Sequence, residues 1–231
     1  MTQNTEIDPR TELENLLEEI NEYQVWRPIF DDQDQLLHSG HADIRDGHPE
    51  FLSKVDFQGR SVLDVGCNFG FHSFLARKLG ASRVVGIDLD PRPARACELL
   101  CRIHNLDRMT FISGDFFAAD LGGPFDIGLM INFMGKGRVL RGVGNDVDVL
   151  KQHCREAMVI TAACAYSIDL HLKDQTNALI GLYGREYVRD GHFYLNEFLQ
   201  DYLADEWTMT LLSPEFPRLN VKRTLLFQRK P

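Results

Sequence analysis

The arrangement of apolar and polar residues from Ser61 onward predicts strands and helices in alternation. Short apolar runs rich in valine and isoleucine are followed by longer segments in which apolar residues recur with helical spacing. Because helices separate most of these strands, we expect right-handed crossovers and a parallel sheet covered on both faces, an α/β fold. The predicted strands are SVLDVG (61–66), RVVGIDLD (83–90), MTFISGD (109–115), PFDIGLMINF (124–133) and AMVITAACA (157–165).

The last part of the chain follows a different pattern. Residues 207–231 contain two predicted strands joined by a turn-rich loop, without a long helix between them. We therefore expect an antiparallel hairpin at one edge of the sheet. The segment before it, from about residue 167 to 206, is predicted to be a helical insertion. Its amphipathic stretch YLNEFLQDYLADE (194–206) fits core packing or, alternatively, the wall of a substrate pocket above the sheet.

Residues 11–30 predict a helix followed by a bend, and residues 31–50 are polar and rich in turn formers. The helix carries one apolar stripe on an otherwise acidic surface, formed by Leu13, Leu16, Leu17 and Ile20. We therefore divide the chain into a helical N-terminal extension or lid, residues 1–50, and a main domain, residues 51–231.

The apolar stripe of the N-terminal helix needs a surface to cover it. Since the sheet's own helices should cover the sheet, we expect the stripe to dock near the open, ligand-binding edge. Tyr23, Trp26 and Arg27 follow, and their aromatic and guanidinium groups suit closure over a ligand. A helix that serves only for packing or dimerisation is the alternative.

Composition narrows the classes of partner. The net charge is −9 and no long basic run is present, so a nucleic acid is possible but disfavoured as a partner. No apolar run approaches the roughly eighteen residues that a membrane span needs. The five cysteines are an odd number at irregular spacing, which predicts reduced thiols and a cytoplasmic protein.

A group of histidines and aspartates in the N-terminal region invites comparison with metal sites. It consists of His38, His41, Asp43, Asp46 and His48. Its spacing matches no pattern of metal ligands, and histidines are ordinary in polar loops, so we predict no metal.

The loop after the first predicted strand contains the pattern Asp64-x-Gly66-x-Asn68-x-Gly70. Glycine at such a turn lets the backbone bend sharply and approach a ligand closely. Asn68 stands where glycine is commoner, and asparagine tolerates left-handed backbone conformations better than most side chains do. A glycine-rich loop alone is weak evidence for a nucleotide-like ligand.

Acidic residues at the ends of the next two strands strengthen this interpretation. Asp88 ends the second strand, where a carboxylate can accept hydrogen bonds from ribose hydroxyls. Asp90, followed by Pro91, suits the N-cap of the next helix and leaves Asp88 for a ligand. Asp115 ends the third strand, where it can meet an adenine amino group. Together the three strand ends predict a cofactor that contains adenosine.

The segments VLDVGCNFG, VVGIDLD, ISGDFF and FDIGLMINF resemble the class I S-adenosylmethionine-dependent methyltransferases in order and spacing. The resemblance implies a Rossmann-like doubly wound sheet with a C-terminal antiparallel edge hairpin, and S-adenosyl-L-methionine as cofactor. It further implies that Asp64, Gly66, Asn68 and Gly70 surround the methionine part of the cofactor. In the same way, it places Asp88 and Leu89 at the ribose and adenine, Asp115 and Phe116 at the adenine, and Asn132 facing the sulfonium.

Within that superfamily, DVGCNFGFHSF followed by GASRVVGID resembles the branch of tRNA wobble-uridine carboxymethyltransferases, and Phe71-His72 supports this. That branch has a Tyr-His pair after the fourth strand, where this chain has Gly135 and Lys136. The resemblance therefore does not carry the carboxylated cofactor or the tRNA substrate over to this chain.

Methyl transfer from a sulfonium is an in-line displacement that depends largely on positioning, and a general base is needed only if the acceptor must lose a proton early. The catalytic residue is therefore unassigned, with His72 and Lys136 as candidates; Lys136 could bind an anionic substrate. The expected function is methylation of a small or medium-sized acceptor at oxygen, nitrogen or carbon. The acceptor atom and the oligomeric state stay open.

Two alternatives remain. One is modification of RNA, above all tRNA, which a basic patch of Arg92, Arg95, Arg102 and Arg108 would favour. The other is a non-catalytic cofactor-binding or scaffold protein, which a closed pocket beside Asn132 would favour.

Overall fold

The computed structural model describes residues 7–20, 24–41, 49–214 and 221–231. Its first helix, α1 (Pro9–Glu18), is capped by Asp8, whose side chain accepts a hydrogen bond from the Thr11 amide. A short antiparallel hairpin and one helical turn follow: β1 (Ile29–Phe30), β2 (Leu36–His38) and α2 (Pro49–Leu52). The predicted helix of the segment 11–30 is thus present and ends at Glu18, ten residues before Pro28.

Strands and helices then alternate as predicted. In chain order they are β3 (Ser61–Val65), α3 (Phe71–Lys78), β4 (Arg83–Asp88), α4 (Pro91–Ile103), β5 (Met109–Ser113), β6 (Phe125–Met130), α5 (Lys136–Val139), α6 (Val143–His153) and β7 (Cys154–Ala163). Between β7 and the C-terminal pair lie β8 (Tyr166–Ser167), α7 (Ile168–His171), α8 (Thr176–Tyr183), β9 (Val188–Arg189), β10 (His192–Phe193) and α9 (Leu195–Leu203). The C-terminal pair is β11 (Trp207–Leu211) and β12 (Lys222–Arg229).

The main sheet has seven strands in the order β11-β12-β7-β6-β3-β4-β5. The strands from β7 to β5 pair in parallel, whereas β12 runs antiparallel to both β7 and β11. This confirms the α/β doubly wound sheet and the antiparallel hairpin at its edge. The final strand, β12, lies between β7 and β11, so the penultimate strand, β11, forms this edge of the sheet.

Apolar cores lie on both faces of the sheet. Neighbouring residues Val62 and Leu63 of β3 point to opposite faces, and each has no exposed surface. Val62 belongs to the core that includes Ala76 of α3, and Leu63 to the core that includes Val147 and Leu150 of α6. Burial on both sides explains why the strands are continuous apolar runs rather than alternating ones.

The apolar stripe of α1 packs against α4. Leu13 is fully buried in one cluster with Ala96, Leu99 and Leu100 of α4. Thus α1 adds a layer outside one of the sheet's own helices, which is the packing interpretation of this helix. The residues that follow α1 reach the ligand-binding edge, as described below.

We expect Gly128→Ala to destabilise the protein by about 1–3 kcal/mol through overpacking. A Cβ at this position would overlap Cys154 Sγ and lie 2.8 Å from Leu150 Cδ1. Urea denaturation measures the free energy of unfolding. Gly137→Ala is the matched control, because a Cβ at residue 137 would meet nothing within 4 Å and helix α5 tolerates alanine. Equal stabilities of the two variants would contradict the tight packing of β6 on α6.

Candidate active site

A cavity of about 610 Å³ opens at the edge of the sheet where the parallel strands end. Its walls come from the loops after four neighbouring strands, from the N-terminal segment and from the region of α5. The strand-end residues are Gly66, Cys67, Asn68 and Phe69 after β3, Asp88, Leu89 and Asp90 at β4, Gly114, Asp115, Phe116 and Phe117 after β5, and Ile131, Asn132 and Phe133 after β6. The structure thus brings most of the sequence-predicted site residues together at one cavity.

The loop after β3 adopts left-handed backbone at Gly66, Asn68 and Gly70, with φ of 69°, 48° and 76°. A side chain on Gly66 would meet the Phe133 ring at 2.8 Å, so only glycine allows this approach. Asn68 occupies a conformation that asparagine tolerates, as its place in the sequence pattern indicates.

The side chain of Asn68 fastens the N-terminal segment to this loop. Its Nδ2 donates to the Gln24 carbonyl oxygen at 2.8 Å, and its Oδ1 accepts from the Trp26 amide at 3.1 Å. Glycine, the commoner residue here, could make neither bond. The sequence offered no signal for this contact, because its partners lie more than 40 positions away.

Asp88 connects the same loop to the end of β4. Its Oδ2 accepts from the Asn68 amide at 2.9 Å, and its Oδ1 accepts from the Asp90 amide at 3.1 Å. Asp90 is the N-cap of α4, as predicted, and its side chain accepts from the Arg92 amide at 3.0 Å. Each carboxylate oxygen of Asp88 has a second lone pair, so both can still accept a hydrogen bond from a ligand.

The other strand ends complete this wall. Leu89 is 74% exposed and forms an apolar surface beside Asp88. Asp115 is exposed, and its Oδ1 accepts from the Phe117 amide at 3.1 Å. Phe116 is buried, with its ring edge-to-face against Phe133. An acceptor and an apolar surface therefore stand side by side at both strand ends.

Asn132 follows β6 in a left-handed conformation, with φ of 58°. Its Oδ1 accepts a hydrogen bond from Lys222 Nζ at 3.0 Å, which links the end of β6 to the C-terminal strand β12. The cavity is open beside this residue.

Asp64 and Gly70 shape the loop without lining the cavity. Asp64 is 1% exposed, and its Oδ2 accepts from Ser73 Oγ at 2.6 Å, which ties the end of β3 to the first turn of α3. Burial raises the pKa of the Asp64 carboxyl to about 6. Gly70 is the N-cap of α3, and a Cβ there would lie 2.8 Å from Phe74 and 2.9 Å from Cys97 Sγ.

The two catalytic candidates differ in position. His72 is 8% exposed and lines the cavity, with its ring perpendicular to that of Phe71. Lys136 is exposed at the start of α5 and is not among the lining residues. Two arginines further along, Arg138 and Arg141, line the cavity instead and escaped the sequence-based prediction.

The N-terminal segment and the insertion contribute unequally. Ile20, Gln24, Trp26 and Arg27 line the cavity, whereas Tyr23 lies outside the described residues. No residue between 167 and 206 lines it. In the insertion, Phe193, Phe198 and Leu199 are buried in the core, which supports the packing interpretation of the stretch at 194–206.

The histidine-rich group of the N-terminal region lies only partly within the described ranges, because Asp43, Asp46 and His48 fall outside them. Within those ranges, no group of three or more His, Cys, Asp or Glu side chains is arranged to hold a metal ion. None of the described helices has the length and apolar character that a membrane crossing requires.

Residues 62–153 match a family model described as a methyltransferase domain. Among curated proteins, the ribosomal protein L11 methyltransferase of Thermotoga maritima is 38% identical over 77 residues, covering 33% of this chain and 28% of that protein. The same enzyme of Sodalis glossinidius is 39% identical over 75 residues, covering 29% and 26%. This chain therefore spans less than a third of the length of these relatives.

Solved structures extend the likeness to the whole chain. The N-terminal domain of EvdMO1 with bound SAH gives a TM-score of 0.61 at 13% identity, covering 99% of this chain and 100% of that one. The magnesium protoporphyrin IX methyltransferase of Synechocystis with bound SAH gives 0.56 at 16% identity, covering 81% and 85%. A dimethyladenosine transferase from Plasmodium falciparum gives 0.51 at 16%, covering 78% and 60%.

The sheet order, the site at its edge and the matched segment define the fold of the class I methyltransferases. Two of the solved structures with this fold, EvdMO1 and the magnesium protoporphyrin IX methyltransferase, contain bound SAH, which agrees with the predicted cofactor type. None of these relatives is a wobble-uridine carboxymethyltransferase, so the narrower resemblance stays a prediction.

We expect Asp64→Asn to remove a pH-dependent component of stability. The pKa of Asp64 is raised from 3.8 to about 6, so between these values the folded protein holds a proton that the unfolded chain has released. The free energy of unfolding of the wild type therefore falls as the pH rises from about 4 to about 6. Above about pH 6 the contribution of Asp64 no longer changes, and the stability stays at this lower value. Asparagine keeps an acceptor for Ser73 without an ionisable group.

Urea denaturation across this pH range measures the effect. The difference in stability between Asp64→Asn and wild type should grow with pH in favour of the variant. Asp205→Asn, at an exposed carboxylate, serves as the control. A difference that is independent of pH would contradict the raised pKa of Asp64.

Proposed function

We propose that this protein is an S-adenosylmethionine-dependent methyltransferase that acts on a small or medium-sized acceptor at oxygen, nitrogen or carbon. The observation that carries the proposal is the continuous cavity that runs from Asp88 and Asp115 to Asn132. When bound, S-adenosylmethionine supplies an electrophilic methyl group. The acceptor side of the cavity then lies beyond Asn132.

The residues present fit this cofactor. Asp88 and Asp115 offer carboxylate acceptors for the ribose hydroxyls and the adenine amino group, and Leu89 and Phe116 offer apolar surfaces for the adenine. The left-handed Gly66 lets the backbone approach the methionine part closely. Asp64 and Gly70 support this loop from behind through Ser73 and helix α3.

The size of the cavity supports a small acceptor. Its volume of about 610 Å³ falls in the range of small-molecule sites, and the cofactor takes up part of it. The names of two similar structures also support a small acceptor, because they mention magnesium protoporphyrin IX and D-fucose. The L11 methyltransferases match only about a third of this chain, so they carry little weight for the acceptor.

Three of the four arginines that would favour RNA lie beside carboxylates. Arg92 pairs with Asp90 beside its own helix N-terminus, and Arg95 Nε donates to Glu12 at 2.8 Å. Arg108 lies 3.8 Å from Asp107. Paired charges contribute little to phosphate-backbone affinity, which supports a small-molecule acceptor over RNA. The open cavity beside Asn132 likewise supports an enzyme over a scaffold.

We further propose that the N-terminal extension acts as a lid through residues 24–27 rather than through α1. Trp26 is 44% exposed, Arg27 is 4% exposed, and both line the cavity. The two hydrogen bonds from Asn68 tie this segment to the cofactor loop. A lid would exclude water and hold the acceptor for in-line attack.

We expect Asp88→Ala to weaken binding of S-adenosylhomocysteine roughly ten- to a hundredfold, since a hydrogen bond to a charged group contributes about 1.5–3 kcal/mol. Isothermal titration calorimetry measures the affinity, with Asp205→Ala as a control at an exposed carboxylate. Binding of NADH without any response to S-adenosylhomocysteine would refute the proposed cofactor.

We expect Asn68→Gly to uncouple the lid from the ligand. Glycine keeps the left-handed backbone and removes both side-chain hydrogen bonds, each of which contributes about 0.5–1.5 kcal/mol. Amide exchange across residues 24–30 should slow when S-adenosylhomocysteine saturates the wild type. In the variant, the factor by which the ligand slows exchange should be roughly tenfold smaller.

Asn105→Gly is the matched control for this measurement, because Asn105 is also left-handed, with φ of 50°, but does not line the cavity. Exchange that does not respond to saturating ligand in the wild type would rule out the lid.

A further inference from the structure

The charged residues that line the cavity come from several different elements of the fold. Asp88, Asp90 and Asp115 belong to the ends of β4 and β5, on the side assigned to adenosine, where Arg92 is paired with Asp90. Three more arginines line the remainder, beyond the end of β6 and on the N-terminal segment: Arg27, Arg138 and Arg141. This concentration of positive charge stands out in a chain whose net charge is −9.

Arg138 is fixed in place by two kinds of contact. Its Nη1 donates to Asp146 Oδ1 at 2.8 Å, and Asp146 is only 3% exposed. Its guanidinium carbon lies 4.3 Å from the centre of the Phe133 ring and 5.6 Å from that of Phe117. A stacked, ion-paired guanidinium is a rigid donor, so binding a ligand costs it little further ordering entropy.

Arg141 adds a second guanidinium three positions further on. It is exposed and lines the cavity, and no side-chain hydrogen bond or ion pair is found for it within the part of the chain that the structure describes. Burial raises the pKa of the Asp146 carboxyl, and the charges of both Arg138 and Arg141 act to lower it. Two cations facing one buried carboxylate leave positive charge for a ligand to balance.

The cofactor accounts for at most one of these arginines. Its only anionic group is the methionine carboxylate, which belongs beside the loop at Gly66. Arg27 follows Trp26, whose amide donates to Asn68 of that loop, and both residues line the cavity, so we assign this carboxylate to Arg27. The sulfonium itself is positive and would be repelled by further guanidinium groups. A second ligand with a negative charge would offset the charges of Arg138 and Arg141 and so reduce this repulsion.

Aromatic rings adjoin the two arginines. Phe117 and Phe133 line the cavity around Arg138, and Phe71 and Trp26 line it near Arg27. Flat apolar walls of this kind suit a planar ligand, because rings stack on one another with little loss of contact area. The expected ligand therefore combines an oxyanion with a flat apolar body.

We infer that the methyl acceptor is a small planar molecule bearing a carboxylate or a phosphate, whose oxyanion is held by Arg138 and Arg141. This inference rests on the proposed methyltransferase function. The fork of a guanidinium matches both oxyanions. In the transfer, the bond from methyl carbon to sulfur breaks with its electron pair passing to sulfur, an electron pair of the acceptor atom forms the new bond to the methyl carbon, and the proton that the acceptor atom gives up passes to water. The oxyanion at the arginines takes no part in the bonds that change.

The test is calorimetric titration of the 231-residue chain saturated with S-adenosylhomocysteine, so that the methionine carboxylate already occupies its own site. Three probes are compared: benzoate, phenyl phosphate and the neutral benzamide. Benzoate or phenyl phosphate should bind at least about tenfold more tightly than benzamide, since charge-assisted hydrogen bonds to arginine are the stronger ones. Whichever anion binds more tightly identifies the oxyanion.

The decisive variant is Arg141→Gln, which removes an exposed cation that makes no side-chain hydrogen bond to the described residues. It should abolish the preference for anions and leave the affinity for S-adenosylhomocysteine within about twofold. Arg138→Lys is the second variant, because it keeps a cation beside the buried carboxylate of Asp146. Arg138→Gln would leave that buried carboxylate without its cation and would destabilise the fold. The lysine should weaken anion binding because it lacks the planar fork.

Arg155→Gln is the matched control, since Arg155 is exposed at the start of β7, away from the cavity edge. If neither anion outbinds benzamide, or if Arg155→Gln reduces the preference as much as Arg141→Gln, the inference is overturned while the proposed function stands. If S-adenosylhomocysteine itself does not bind the wild type, the proposed function fails instead.

Discussion

Three hydrogen bonds of Asn68 hold the site together. Its backbone amide donates to Asp88 at the end of β4, and its side chain bonds to the backbone of Gln24 and Trp26. These contacts require the left-handed backbone at residue 68, which directs the amide toward β4 and the side chain toward the N-terminal segment. Asn68 thus connects the proposed ribose-binding acid with the proposed lid.

The carboxylates around this loop have different roles, which depend on whether they are buried or accessible. Asp64 is removed from solvent and bonded to Ser73, so it orders the turn from β3 into α3 while its pKa is raised. Asp88 and Asp115 remain accessible at the cavity, where carboxylates can accept bonds from a ligand. Arg138, oriented by Asp146 and Phe133, lines the same cavity. One cavity therefore presents both carboxylate acceptors and guanidinium donors.

The apolar pattern was sufficient for the sheet because each strand had to be buried on both faces. Val62 and Leu63, adjacent in sequence and both fully buried, show why β3 reads as a continuous apolar run. The pattern was less informative at the N-terminus. There, residues 29–38 form a hairpin whose strands are two and three residues long, too short to produce a period. The stripe of α1 predicted a helix correctly but could not say that α4 covers it.

By itself, the sequence determined the order of strands and helices, the strand-end positions of Asp88, Asp115 and Asn132, and the left-handed turn at Asn68. These features depend on local backbone preference and on periodic burial, which neighbouring residues dictate. Only the tertiary structure decided that Asp64 faces Ser73 rather than the cavity, that Asn68 binds the backbone of residues 24–26, and that Arg138 and Arg141 line the cavity while Lys136 does not. Such contacts join segments far apart in the chain, and their geometry depends on how helices and loops pack around the sheet, which no local pattern records.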